Sequence, residues 1–310
     1  MKTLVTGGAG FIGSNLVGEL VRRGHEVAVL DNLLSGYASN LDPYPSVRFV
    51  RGDVRDAAAV DEAVKGAQAV FHLAASVGNK RSIDMPLDDA AINVLGTIQV
   101  LEGMRRHGVR KIVVSSSAGI FGELKTLPIR EDHPCEPDSP YGSTKLCEEK
   151  MSLAYAKLYG IEAVCLRYFN VYGVNQRFDA YGNVIPIFAF KMLRNETLTI
   201  FGDGEQTRDF LNMRDVVQAN LKGAFAQGVS GAFNLGSGTR VTVNELVRLL
   251  EAASGIKPAF VYGPPRAGDV RHSLADHGLA TQKLGFVPEV GLEAGLNEYT
   301  AWAKQEAARG

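Results

Sequence analysis

A glycine-rich turn near the N-terminus sets the tightest limit on what this chain can fold into. Val5-Thr6-Gly7-Gly8-Ala9-Gly10-Phe11-Ile12-Gly13 follows a short apolar, β-branched run from Lys2 to Thr6 and opens a helical pattern from Phe11 to Arg22. Strand, glycine turn and helix in that order make the motif a candidate dinucleotide site. Each glycine has its own task. Gly7 permits a tight turn with unrestricted φ. Gly10 leaves no Cβ between the backbone and a pyrophosphate, and Gly13 lets the helix pack close to the sheet. The first helical turn, with Phe11 and Ile12, offers free N–H groups and a positive dipole end to phosphates.

A second strand, Glu26 to Leu30, ends in Asp31, 18 residues after Gly13. That is close to the spacing of about 20 at which an acid accepts from a ribose 2′-hydroxyl. A carboxylate there repels a 2′-phosphate, so the expected cofactor is NAD and not NADP. Further strand-like runs follow at Val47–Val50, Ala69–Leu73, Arg110–Ser115 and Glu162–Tyr168, with helical patterns between them. Alternating βαβ units predict an α/β fold, a doubly wound parallel sheet covered on both faces. Its ligands belong at the carboxyl ends of the strands. Asp53 is expected to close the third strand, where it can accept from an adenine amino group, and Asp56 to start a helix. Ala74-Ala75 would let a cofactor lie against the backbone. A helix from about 88 to 106 is apolar on more than one face (Ile92, Leu95, Ile98, Leu101), which asks for a second partner surface.

After Asn170 the texture changes. Helices are expected at Ile185–Arg194, about 214–225 and from a Thr242-Val243-Asn244-Glu245 capping box to about 253. Short strands are expected at Thr197–Phe201, Ala232–Leu235 and Pro258–Tyr262, and two helices end the chain. This divides the chain into residues 1–170, a dinucleotide-binding domain that also receives later strands, and residues 171–310, a smaller α/β lobe interleaved with it. No Pro/Ser/Gly-rich linker separates them, so the cleft between them is the expected substrate site.

Composition excludes several classes. The chain has 310 residues, 45% apolar, with 33 basic and 34 acidic side chains. A balance so near neutral gives no bulk attraction to nucleic acid or membrane. No apolar run approaches the roughly 18 residues of a membrane span, and no signal peptide precedes the first strand. Cys135, Cys147 and Cys165 lack CxxC spacing and read as reduced thiols of a cytoplasmic protein. His72, His107, His133 and His277 do not cluster at ligand spacings, so no metal site is expected.

Chemistry is carried by Tyr141-Gly-Ser-Thr-Lys145, which sets a phenol and an ammonium on one helix face at i and i+4. The ammonium is expected to lower the phenol's pKa from about 10 toward working pH, so that Tyr141 can take a proton from an alcohol while hydride leaves the same carbon. Ser117, in the Ser115-Ser116-Ser117 run upstream, can hydrogen-bond the same oxygen and pass the proton.

With these residues in view a resemblance becomes specific. TGGAGFIG, the Asp31-Asn32 pair, Gly52-Asp53-Val54, HLAA at 72–75, SSSAGIFG at 115–122, YGSTK and RYFNVYG at 167–173 resemble the UDP-glucose 4-epimerases of the extended short-chain dehydrogenase/reductase superfamily. The resemblance implies an NAD site that adds Ser35, Gly36, Leu73, Asn93, Ser115 and Tyr168 to the residues above. It also implies a UDP-sugar site in which Asn170, Asn183 and Val184 meet phosphate or sugar, Thr199 and Phe201 frame the uracil, and Arg208 and Arg266 clamp the diphosphate near Asp269. The implied reaction is oxidation at C4 to a 4-keto sugar, rotation of that sugar, and reduction on its other face. The family's dimers pair the helices that here are about 88–106 and 142–159.

Phe121 and Val77 depart from residues common in that family, tyrosine and lysine. A 4,6-dehydratase needs an acid pair where this chain has Ala118-Gly119, and a UDP-glucuronate decarboxylase resembles a Thr-Ser-Glu pattern in which Gly119 replaces the glutamate. Two alternatives remain at this point: a UDP-glucuronate 4-epimerase, with Arg177 facing the carboxylate, and a non-catalytic NAD-sensing regulator. Ser273 stands where hexose-restricted members resemble one another in a tyrosine. A small side chain there implies room for an N-acetyl group, and so UDP-N-acetylglucosamine and UDP-N-acetylgalactosamine beside UDP-glucose and UDP-galactose.

Overall fold

The computed structural model describes residues 1–178, 182–265 and 270–309. The main sheet takes β1 (Lys2–Thr6), β2 (Glu26–Asp31), β3 (Arg48–Arg51), β4 (Ala69–His72), β5 (Lys111–Ser117) and β6 (Glu162–Tyr168). After the short strands β7 (Asn170–Tyr172), β8 (Leu198–Phe201), β9 (Thr207–Arg208) and β10 (Phe210–Asn212), its seventh member is β11 (Gly231–Leu235). The order is β11-β6-β5-β4-β1-β2-β3, and every pairing is parallel. Two more short strands, β12 (Val241–Thr242) and β13 (Phe260–Gly263), pair with β9 and β8.

Side chains alternate across a pleated strand, and the sheet's two cores divide accordingly. Val5, Val29, Phe71, Val113 and Val164 face one side, and Leu4, Leu30, Val70, Ile112, Val114 and Cys165 face the other. The first side is covered by α1 (Phe11–Arg22), the other by α2 (Ala57–Val64). Next along the chain come α3 (Asn79–Asp84), α4 (Pro86–Ala90), α5 (Gly96–His107) and α6 (Pro140–Tyr159), of which α5 and α6 complete the cover over Leu4 and Cys165. A further core forms where α7 (Val184–Leu193) and, after α8 (Met213–Phe225), α9 (Val243–Ser254) close over β8. α10 (Gly278–Leu284) and α8 return to the first side of the main sheet, while α11 (Leu292–Ala307) completes the smaller core. No helix among the described residues is long and apolar enough to cross a membrane.

β1 lies between β2 and β4, so the chain leaves it on one side and returns on the other. That reversal opens a crevice at the carboxyl ends of β1 and β4. The glycine turn sits there.

Most expected elements form within a residue or two of their expected ends. The capping box is seen in the Glu245 N–H, which donates to Thr242 Oγ1 at 3.0 Å. Two expectations are corrected. β3 stops at Arg51, so Asp53 does not close it: Arg55 holds both Asp53 oxygens (2.9 and 2.8 Å) and curls the chain into a turn ahead of Asp56, the N-cap of α2. The helix expected over 88–106 is two helices joined by a π-helical stretch, Ala91–Leu95. The extra residue in that turn re-aims Asn93 at Ser76, whose N–H and C=O it meets at 2.8 and 3.1 Å.

Gly13 shows how little room the turn leaves. A Cβ there would lie 2.1 Å from the Gly7 carbonyl oxygen and 2.7 Å from the Gly8 Cα, both backbone atoms that cannot step aside. Gly13→Ala should therefore lower stability by roughly 1–3 kcal/mol, as overpacking does, read as a drop in the urea midpoint at unchanged m-value.

Candidate active site

The crevice is built first from the glycine turn. Gly7 has φ +70°, and a Cβ on it would press within 2.8 Å of the Ala74 amide nitrogen, so β1 and the chain leaving β4 touch through bare backbone. A Cβ on Gly10 would meet only the Gly7 oxygen, at 3.2 Å, which leaves its outer side open. Gly10 is the N-cap of α1 and no side chain caps that end, so the first-turn N–H groups at Phe11, Ile12 and Gly13 are unclaimed by any cap. Asp31 closes β2 beside them. Its carboxylate is buried and accepts from the Ala9 and Leu33 N–H groups at 2.9 and 2.8 Å, one on each oxygen, so each oxygen keeps a lone pair. Burial pushes the Asp31 carboxyl up from its usual value while the two N–H donors hold it down. Ser35 and Gly36 run over the turn, with Tyr37 donating its N–H to the Ala9 carbonyl at 3.0 Å. An uncapped helix end, a glycine cradle and a carboxylate beside it fit a dinucleotide.

Not every expected cofactor residue faces the crevice with its side chain. Val54 is buried in the core, where its side chain abuts Gly96. Asn93 is fully buried, and its amide is spent on Ser76, Asp89 and Thr144. Tyr168 turns its hydroxyl to Asn220. Asn32 donates to Asp53 at 2.7 Å. Leu73, Ala74 and Ala75 stand half-buried at the end of β4.

Across the crevice, β5 ends in Ser117 and turns through a short 3₁₀ segment, Ala118–Ile120. Pro140 and the Ser139 hydroxyl, which accepts from the Gly142 N–H at 3.1 Å, start α6 and place Tyr141 in its first turn. The two segments meet closely: a Cβ on Gly142 would lie 2.3 Å from the Gly119 carbonyl oxygen. This approach brings the Tyr141 phenol to Ser117. Burial pushes the phenol up, and Lys145 and Ser117 pull it down. In the protein alone burial is the larger effect, so the net lowering expected from Lys145 does not occur. Lys145 is buried, within 3.5 Å of Ser115 Oγ and ion-paired with Glu148.

Beneath these groups lies a polar network that the sequence motifs did not announce. The Thr97 hydroxyl donates to the Asn93 carbonyl at 2.6 Å, so it accepts from His72 Nε2 at 3.0 Å. His72 Nδ1 is then an acceptor and takes the Thr6 hydroxyl at 2.8 Å, while Thr6 Oγ1 accepts the Leu73 and Ala74 N–H groups. His72 is thus neutral, and burial with the nearby Lys145 charge pushes it down to about 3. Thr144 donates to Asp89 at 2.6 Å. Glu149, fully buried, takes Arg167 in a two-pronged pair (2.8 and 2.9 Å) and the Ser116 hydroxyl at 2.9 Å. The Arg167 guanidinium also lies over the Phe121 ring, 5.2 Å from its centre. The available signal was spacing: Glu148 and Glu149 stand three and four residues beyond Lys145, on its helix face.

The segments that follow β6 supply the crevice's other end. Asn170 donates to the Asp209 carbonyl at 3.1 Å, Asn183 precedes Val184 at the N-cap position of α7 with its amide 3.5 Å from the Val171 carbonyl, and Arg208 holds the Thr207 carbonyl at 2.9 Å. Thr199 and Phe201 lie on β8, and Phe201 lines a cleft of about 640 Å³ with Gln206, Tyr262, Pro265 and an Asp203–Arg271 ion pair. Ser273 is buried, its N–H on the Thr207 carbonyl at 3.1 Å. Arg266 and Asp269 lie outside the described residues. Arg177 is engaged elsewhere. It pairs with Glu306, donates to Asn40 at 2.9 Å and stacks on Tyr37, 4.0 Å from the ring centre.

A glycine turn at the switch point of a parallel sheet, faced by Ser117, Tyr141 and Lys145, defines an enzyme of the short-chain dehydrogenase/reductase class. The chain belongs to the NAD dependent epimerase/dehydratase family, whose family model matches residues 3–236. It is 42% identical over 304 residues to a putative UDP-glucose 4-epimerase of Methanocaldococcus jannaschii, covering 97% of this chain and 98% of that one. Its structure is similar to a UDP-glucose 4-epimerase from Thermotoga maritima solved with UDP-glucose (39% identity, TM-score 0.94, 99% of this chain and 100% of that one). It is also similar to a UDP-N-acetylglucosamine 4-epimerase from Methanobrevibacter ruminantium in complex with UDP-N-acetylmuramic acid (32% identity, TM-score 0.94, 98% of each chain).

The buried Glu149–Arg167 pair gives a direct test of how the floor of the site is held. Arg167→Met leaves Glu149 buried without its counter-charge and should cost about 3–5 kcal/mol, measured by urea unfolding. A loss near zero would mean that Glu149 is compensated some other way.

Proposed function

We propose that this protein is an NAD-dependent UDP-hexose 4-epimerase, acting on UDP-glucose and UDP-galactose and on their N-acetyl counterparts. The observation that carries the reading is the convergence of Ser117, Tyr141 and Lys145 on the crevice floored by the glycine turn. A proton acceptor, its relay and a cation then stand beside the place where the fold binds a dinucleotide.

The chain's residues divide the work. The first turn of α1 and Gly10 hold the pyrophosphate, and Asp31 accepts from the adenosine ribose. Bound NAD supplies the two-electron acceptor and donor for C4 of the sugar. Tyr141 takes the 4″-hydroxyl proton as C4 is oxidised and returns it when the carbonyl is reduced, with Ser117 hydrogen-bonded to the same oxygen. Lys145 places positive charge near the phenol and favours its ionised form. Thr199 and Phe201 frame the uracil, and Arg208 and Arg266, by their two-pronged geometry, suit the diphosphate. Anchoring through UDP leaves the hexose free to turn over between the two half-reactions, which tight sugar contacts would prevent.

Residues 1–170 act as the NAD lobe and 171–310, interleaved with it, as the UDP-sugar lobe. The engagement of Arg177 with Glu306 and Tyr37 disfavours a sugar uronate as its partner. The exposed Leu95 and Leu158, on the 88–106 and 142–159 segments, support a homodimer through those helices. Three free cysteines suit a cytoplasmic setting.

A screen of UDP-hexoses, UDP-N-acetylhexosamines and UDP-uronates for 4-epimer products tests the assignment, and absence of any product would overturn it. Within it, Tyr141→Phe should lower kcat by about 10²-fold or more, as loss of a general acid–base does, with UDP affinity nearly unchanged in calorimetry.

Ser273→Tyr addresses sugar size. A phenol in place of the small hydroxyl should abolish turnover of the N-acetyl sugars by steric exclusion and spare the plain hexoses. The measurement is kcat/KM for both pairs in both proteins. Equal loss on both pairs would refute the gate.

A further inference from the structure

Glu148 stands out among the buried acids near the catalytic pair. Glu149 is neutralised by Arg167 and the Ser116 hydroxyl, and Asp89 accepts from Thr144 and Asn93. Glu148 has neither kind of support. Its side chain is 1% exposed, it pairs with Lys145, itself 2% exposed, and apart from that pair no described residue hydrogen-bonds its oxygens. One oxygen lies 3.8 Å from His72 Nε2, but His72 is neutral and its Nε2 proton is given to Thr97, so it provides no counter-charge. The other titratable groups that face Glu148 are Glu149 and Tyr141 on α6, Asp89 on α4, and Cys165 and Tyr168 on β6. None of them is a cation.

We propose that Glu148 is a positioning residue of this site: it anchors the Lys145 ammonium and offsets the positive field that reaches the Tyr141 phenol, so that the proton on Glu148 governs how readily Tyr141 ionises. The inference rests on Tyr141 as the base of the proposed reaction. The physical basis is burial. With water excluded, charges a few ångströms apart act on one another far more strongly than at the surface. When Glu148 is ionised, the phenol meets a Lys–Glu dipole whose net charge is zero. When Glu148 is protonated, it meets an uncompensated ammonium, and the phenolate is favoured. Both states are within reach near neutrality, because burial, with Glu149 and Asp89 nearby, pushes Glu148 up to about 7 against the pull of Lys145. As pH rises through that region the offset switches on, and the phenol then titrates higher than it would beside an uncompensated ammonium.

The test compares the NAD-loaded wild type with Glu148→Gln and Glu148→Asp. Epimerisation of UDP-glucose is followed across the neutral and mildly alkaline range. The phenolate ultraviolet absorbance is titrated in parallel, with Tyr141→Phe as the blank. Glu148→Gln, isosteric and uncharged, should move the midpoint of the rising limb and of the phenolate titration about one pH unit lower, the size of effect one nearby charge exerts, with KM for UDP-glucose unchanged. Glu148→Asp keeps the charge one methylene further back and should fall between the two. If the Gln variant does not fold, the Asp variant alone must still show a midpoint below that of the wild type. Midpoints that coincide with the wild type, or that move up, would overturn the role given to Glu148. The titration reads Tyr141 without turnover, so a wild type inactive on every UDP-sugar would defeat the functional reading and still leave the role of Glu148 decided.

Discussion

The hydrogen bond from the Thr6 hydroxyl to His72 ties the last residues of β1 and β4 together at the point where the sheet reverses its winding. That reversal creates the crevice, and every later feature of the site is built on it. Thr6 also receives the two N–H groups that leave β4, so the backbone wall at Leu73 and Ala74 is fixed by the same hydroxyl. From His72 the chain of contacts runs through Thr97 and Asn93 to Ser76, Asp89 and Thr144, and so to α6, which carries Tyr141 and Lys145. A satisfied polar network of this kind has one geometry, because each donor left unmatched in the interior costs about 1–3 kcal/mol. The cofactor cradle and the catalytic helix are thus held in register through buried side chains.

The site's electrostatics follow from the same burial. Two acids adjacent in sequence, Glu148 and Glu149, sit at the same depth and differ in their partners. Glu149 meets a guanidinium and a hydroxyl that match its oxygens, and the pair braces the strands under Ser116. Glu148 meets Lys145 alone. The first arrangement gives both carboxylate oxygens matched donors, and the second leaves the carboxylate with a single counter-charge. This contrast is set by what packs opposite each carboxylate and has no counterpart in the sequence pattern.

The glycines make a related point. The motif glycines were legible as such, yet their jobs differ from one another in ways that only contact distances express. Gly7 is required by its positive φ and by Ala74, and Gly13 by the Gly7 carbonyl beneath it. Gly142, which reads in the sequence as a spacer between Tyr141 and Ser143, is as constrained as either, because it brings the start of α6 against the Gly119 carbonyl.

The sequence by itself determined the parallel α/β architecture, the position of the nucleotide turn, the acid at the end of β2 and the Tyr141–Lys145 pair. Each of these is written in local order or in a fixed residue spacing, which the chain carries before it folds. The tertiary structure alone decided which polar groups are buried together. The pairing of Glu149 with Arg167, the neutral state of His72, the diversion of Asn93, Tyr168 and Arg177 to protein partners and the burial of Glu148 with Lys145 as its single counter-charge all depend on what packs opposite each group, which no periodicity reveals. Asp53, held by a guanidinium, and the π-helical stretch at 91–95, where Asn93 meets both backbone groups of Ser76, belong with them. Sequence periodicity reports which face of an element is buried. What that face meets is settled only when the elements pack.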